Sequence, residues 1–271
     1  MTLCLAWRNS NGAIHLVSDS RITLNGKFSD FGLKVFSVPV RVYLPTSKGS
    51  SNAEIAFENT YGLAFAGSFL GVQLLREHLF IVLQNLQCIP NYLDYSFEAV
   101  CKIVEQYFSY LLKTIHADLN DEITIDFFFT GYCQKSDCCR IAKFFVTYNE
   151  DITSFQTHSE ILPNTEIIDT IGGGNKSFLT PLKGKPLPEK ELLKLFSTAI
   201  LDSCGPSVGG NIQYGSFDKK NNFRVRGVIK HNELQASAGF FYGGIDMNGA
   251  VFGHNGDNLF FMGSYVDPFS D

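Results

Sequence analysis

The sequence is poor in tryptophan, methionine and charge: 271 residues hold a single Trp, 3 Met and 18% charged side chains. Low charge beside 45% hydrophobic residues excludes a disordered chain, which needs the opposite balance. Basic clusters are absent and the formal net charge is −5, so nucleic acid has no electrostatic footprint here. No apolar run reaches the length that spans a bilayer, and no basic stretch followed by an apolar run marks a secretory leader. A membrane location and a signal peptide are therefore not expected. The 7 Cys are odd in number and scattered. They suit reduced thiols in a cytoplasmic setting, not a disulfide scaffold.

Phenylalanine, by contrast, is abundant at 25 residues. Large aromatics suit pleated surfaces and favour strands. Thr2–Trp7 and Ala13–Ser18 read as strands joined by the turn Arg8-Asn9-Ser10-Asn11-Gly12. That hairpin returns Asp19 to the chain start. Asn25-Gly26 is a strong turn dipeptide, and a further strand begins at Lys34. Residues 39–60, with Pro39, Pro45 and a Ser-rich run, are irregular and read as an exposed excursion or a loose hairpin. Tyr61–Ala66 is a buried strand ending at Gly67-Ser68.

Apolar residues at helical spacing then predict helices over 69–86 and 96–116. Strands follow at 123–132 and 140–148, around a turn at 134–137, and again at 152–157 and 166–171. A helix is expected over 189–203, then strands at 211–215 and 223–229. The Gly- and Phe-rich end, from Ala236 onward, adds more strand. This order implies an α+β fold of two antiparallel sheets packed face to face with helices outside. Neither a linker nor an internal repeat is visible, so one domain over 1–271 is expected. It carries an insertion at 39–60 and a C-terminal extension over 230–271.

A threonine hydroxyl is a weak nucleophile, but a free terminal amine beside it can serve as its base. Loss of Met1 leaves Thr2 in that position. An α-amine titrates near ~8, and a nearby lysine ammonium would help keep it neutral. A carboxylate could in turn hold the lysine. Thr2, Lys34 and Asp19 supply the three parts.

These residues also carry a family resemblance. The runs Thr2-Leu3-Cys4-Leu5-Ala6, Ser18-Asp19-Ser20-Arg21-Ile22-Thr23 and Ser29-Asp30-Phe31-Gly32-Leu33-Lys34-Val35-Phe36 resemble the start of proteasome β subunits and of the HslV peptidase. Leu63–Ser68, the segment 125–132 with Arg140–Phe144, and Thr170–Gly174 are similar to later family segments. So are Asp202 and Ser207-Val208-Gly209-Gly210-Asn211-Ile212. The resemblance implies a four-layer αββα sandwich of the N-terminal-nucleophile (Ntn) hydrolase type. Thr2 would be the nucleophile, supported by Asp19 and Lys34, and the Gly67 N–H would face the oxyanion. Asp202 and Ser207 would support the terminal amine. Gly173 stands where the family carries a serine.

Implied with these are a peptide or amide substrate, a homo-oligomer and an unfoldase as a partner to consider. No metal or organic cofactor is required. Two further readings stand beside this one. The first is a non-catalytic subunit with a structural or partner-binding role, and the second an amidase-type relative acting on a small molecule.

Other motifs carry less. Cys133-x4-Cys138-Cys139 fits no standard zinc spacing and reads as incidental thiols at a hairpin end. Gly172–Ser177 lacks the glycine before lysine that a phosphate loop needs. The six His form no close metal pair.

Overall fold

A continuous apolar run and a tight polar turn build the first hairpin in the computed structural model, with every residue of both strands buried. The model describes residues 2–24, 26–45, 53–119, 124–148, 155–173, 187–202, 208–232, 237–247 and 262–268. Strand β1 (Cys4–Arg8) pairs antiparallel with β2 (Ile14–Asp19), Cys4 lying opposite Ser18 and Arg8 opposite Ile14. The turn is closed by Asn9, whose Oδ1 accepts from the backbone N–H of Asn11 at 3.1 Å and of Ala13 at 2.9 Å. Gly12 takes the left-handed conformation that this turn requires, with φ +80°.

The described chain divides into two compact units. The first comprises residues 1–36, 165–216 and 225–271. It holds β1, β2, β11 (Ile167–Ile171) and β12 (Ile212–Phe217, its last residue excepted). It also holds most of β13 (Phe223–Asn232), with β14 (Ser237–Tyr242), β15 (Ile245–Asp246) and β16 (Tyr265–Val266). The sheet order is β11-β1-β2-β12-β13-β14-β15, with β16 beside β13. Helix α3 (Glu189–Asp202) supplies Leu192, Leu193, Phe196 and Ile200 to a core with Leu3, Leu5, Trp7, Val17 and Tyr214. A short separate ribbon, β3 (Ile22–Leu24) with β4 (Lys27–Ser29), carries the expected Gly26 turn; Asn25 lies outside the described residues.

The second unit, residues 37–164 and 217–224, is built on a six-stranded sheet. Its order is β10 (Phe155–Ile161), β9 (Cys138–Tyr148), β8 (Ile125–Cys133), β6 (Ile55–Gly67), β5 (Val35–Tyr43) and β7 (Leu86–Gln87). Two helices, α1 (Phe69–Val82) and α2 (Phe97–Leu119), belong to it. The many phenylalanines are used here. Phe127 stacks on Phe144 at 4.6 Å, and Phe108 of α2 meets Phe127 edge-on at 5.1 Å. Each such ring contributes about 1.5–3 kcal/mol by burial. Cys133 and Cys138 lie opposite each other at the end of the β8–β9 hairpin.

Of the two readings of 39–60, the irregular excursion is corrected, because residues 39–43 and 55–60 are strand; the hairpin agrees with β5 and β6 lying side by side and with the Leu44 N–H donating to Glu54 O at 2.8 Å. Pro39 is tolerated within β5 because its missing N–H falls on the β7 side, where the ladder between described residues does not reach it. β7 pairs only with Val42 and Tyr43, and the Arg41 N–H on the same side leaves the ladder for Leu83 O at 2.8 Å. The strand expected over 152–157 is displaced to 155–161; residues 152–154 lie outside the described residues. Among the described residues no helix is long and apolar enough to cross a membrane.

Candidate active site

The β1–β2 pairing delivers a carboxylate to the chain start. The Asp19 N–H donates to Leu3 O at 3.2 Å, and Leu3 N–H donates to Asp19 Oδ1 at 3.0 Å. Asp19 Oδ2 accepts from the backbone N–H groups of Arg21 and Gly209, each at 3.2 Å. Lys34 precedes β5 and sends its ammonium inward. Its Nζ lies 3.0 Å from Asp19 Oδ1 and 3.0 Å from Thr2 Oγ1. Thr2, Asp19 and Lys34 are 4%, 0% and 1% exposed, so the three functional atoms meet out of solvent.

Such burial disfavours charge. It pushes the Asp19 carboxyl above, and the Lys34 amine below, their ordinary values. Their mutual attraction and the hydrogen bonds that Asp19 accepts oppose both shifts.

The loop around the cluster is also fixed. Arg21 grips Asp30 with two hydrogen bonds of 2.7 and 3.0 Å and lies 4.1 Å over the Phe28 ring. Ser20 Oγ donates to Asp30 O at 2.6 Å and accepts from Asn211 N–H at 2.8 Å. Gly209 leaves room for the Arg21 guanidinium, since a Cβ there would lie 2.4 Å from Arg21 Cζ.

At the far end of the hairpin a second buried set supports its shape. His15 stacks on Trp7 with centroids 4.5 Å apart, and its Nδ1 is 2.6 Å from the Tyr214 hydroxyl. Tyr214 donates to Glu189 Oε1, so Nδ1 carries the proton toward Tyr214. Nε2 then faces the Asn9 Nδ2 donor at 3.4 Å. The Asn9 amide cannot turn over, because its Oδ1 is held by the two turn N–H groups. Burial accordingly lowers the His15 pKa from 6.5 to about 4.

The remaining sequence candidates are Gly67, Asp202 and Ser207. Gly67 belongs to the second unit, at the β6–α1 junction. Its φ is +114°, and a Cβ would lie 2.1 Å from Thr124 O, so only glycine fits. Asp202 is the last residue of α3, and Ser207 lies outside the described residues. Gly173 is exposed. Gln213, which touches the Lys34 backbone, was not foreseen; its signal was a polar residue inside the apolar run Ile212–Tyr214. Among the described residues no group of three or more His, Cys, Asp or Glu could hold a metal ion.

No family model matches the chain, and no curated protein matches it. Among solved structures it is similar to Anbu (ancestral beta-subunit) from Yersinia bercovieri, with 14% identity and a TM-score of 0.52. The match covers 82% of this chain and 86% of that one. The expected place among proteasome β subunits and HslV is thereby corrected. Short motifs such as Gly67-Ser68 follow from backbone geometry, which a shared fold imposes well beyond one family. At this identity the likeness carries the fold alone: a mixed α+β chain, mostly strand, shared with an ancestral-type β-subunit.

Proposed function

We propose that this chain is a threonine-type N-terminal-nucleophile hydrolase that cleaves peptide or amide bonds. One observation carries the reading. The buried Lys34 ammonium lies 3.0 Å from both Thr2 Oγ1 and Asp19 Oδ1. A hydroxyl held against a desolvated, carboxylate-bound lysine is a recurring arrangement for an activated nucleophile.

In this proposal removal of Met1 frees the Thr2 amine. Thr2 Oγ1 attacks the substrate carbonyl and its proton passes to that amine. The C–N bond breaks, the proton leaves with the departing amine, and an ester to Thr2 remains. Water then cleaves the ester by the reverse proton path. Lys34 holds Oγ1 and disfavours a charged terminal amine, while Asp19 holds Lys34. Asp202 and Ser207 support the amine in this reading. It also includes a four-layer αββα sandwich over a single 1–271 domain, a homo-oligomer and a cytoplasmic location.

Intact mass and covalent labelling test it. The expected result is a chain lacking Met1 that gains one peptide-epoxyketone adduct, with no adduct in Thr2→Ala. A purified chain that keeps Met1 overturns the reading. A non-catalytic, partner-binding subunit is the second reading, favoured by the near-complete burial of Thr2.

A further inference from the structure

Lys34 lies on no regular element; it ends the loop between β4 and β5. An ammonium on a four-carbon stem is aimed only if its own backbone is fixed. Gln213 of β12, 0% exposed, supplies that anchor. Its Oε1 accepts from the N–H of Lys34 at 2.7 Å and of Val35 at 3.1 Å. Its Nε2 donates to Gly32 O at 2.5 Å and to Gly243 O at 3.1 Å. A carboxamide has two donor hydrogens and two lone pairs, and all four are used. The amide orientation is unambiguous, because two backbone donors lie on one side and two carbonyls on the other.

Gly243 brings in the C-terminal strands. Gly243 and Gly244 connect β14 to β15 with φ of +59° and +86°. Asn211 Nδ2 donates to Gly244 O at 3.0 Å. A Cβ on Gly244 would lie 2.6 Å from Ser20 Cβ and 3.2 Å from Gln213 Nε2. One on Gly243 would lie 2.7 Å from Leu33 Cδ2. The turn therefore presses against both neighbours of the site, the Ser20 corner and the Lys34 loop.

We propose that Gln213 and the Gly243–Gly244 turn form a clamp that positions Lys34 toward Thr2 and Asp19. The C-terminal strands are then a working part of the reaction centre. Gln213 is a positioning residue, because it touches the lysine backbone and not the reacting atoms. The kinetic consequence rests on the hydrolase reading of Thr2; the geometric consequence does not.

The full chain carrying Gln213→Met, and separately Gly244→Ala, tests the clamp by two readouts. The first is the rate at which a peptide epoxyketone labels Thr2, measured against pH. A loosened Lys34 slows labelling roughly 100-fold, as small misplacements of reacting groups do. The acid limb of the pH profile moves to higher pH, because a displaced ammonium no longer lowers the amine. The second readout is acetylation of Lys34 in the native protein, followed by peptide mass spectrometry. Lys34 is protected in the unaltered chain and at least about 10-fold more reactive in both variants, through local opening.

If the unaltered chain takes no label, the hydrolase reading fails and the acetylation readout still decides the clamp. A folded Gln213→Met chain with unchanged Lys34 protection overturns it. So does an unchanged labelling rate and acid limb where the unaltered chain is labelled. Loss of the whole fold in both variants also overturns it, since these groups would then support the fold and not Lys34.

Discussion

Asp19 and Lys34 face each other across 3.0 Å with both side chains essentially out of solvent. Neither charge has water to fall back on if its partner is removed. Lys34→Ala is therefore expected to cost about 3–5 kcal/mol of stability, the usual penalty for one half of a buried pair. Asp19→Ala should cost at least as much, because Leu3, Arg21 and Gly209 also lose an acceptor for their N–H groups. Urea unfolding midpoints check both. The double variant should cost less than the sum, since the second removal strands no charge.

His15 gives the fold an acid limit. Its folded pKa, about 4, lies below the ordinary 6.5, so the folded state binds the proton less readily than the unfolded one. The stabilising contribution is complete above pH 6.5 and is lost as pH falls toward 4. Burial causes the shift; Glu189 opposes it and Arg226 adds to it. The loss amounts to about 3 kcal/mol. Unfolding midpoints between pH 7 and 4 should show this slope, and His15→Phe, which keeps a ring against Trp7, should flatten it.

Trp7 reports the same event optically. It is the single Trp of the chain, fully buried, with the His15 ring stacked on it. Its emission should be that of an indole in an apolar setting. It should dim as His15 becomes a cation, with a midpoint near 4 that disappears in His15→Phe. Steady-state fluorescence against pH is the measurement.

The β6–α1 junction gives a prediction that is independent of chemistry. Gly67→Ala places a Cβ against Thr124 O in a backbone conformation with φ +114°. A loss of at least about 1–3 kcal/mol is expected from strain alone. Ser68 caps α1, its Oγ accepting from Gly71 N–H at 3.3 Å. Ser68→Ala should cost about 0.5–2 kcal/mol. Urea titration of each variant separates these structural losses from any effect on labelling of Thr2.

What the sequence made legible was local. The Asn9 turn is short and polar, so the return of Asp19 to Leu3 could be read from spacing. Lys34 is named through the resemblance carried by the run Ser29–Phe36, since spacing alone does not bring it to Thr2. Gln213 could not be tied to Lys34, because 179 positions separate them and only sheet order brings them together. The Gly243–Gly244 turn was obscured for the same reason: glycines mark a turn but not what the turn presses on. Pro39 misled in the opposite sense. Proline usually ends a strand, and only the neighbouring strand's short length reveals that the ladder between described residues stops before it.

That last feature also limits how far the hydrogen-bond ladder beside β5 can run. Among the described residues β7 pairs with two residues of β5 and Leu83 O takes the Arg41 N–H, so the ladder on that flank is short. Pro39 interrupts the row with a ring in place of a hydrogen-bond donor. A strand laid along this flank could not run a continuous ladder past that ring.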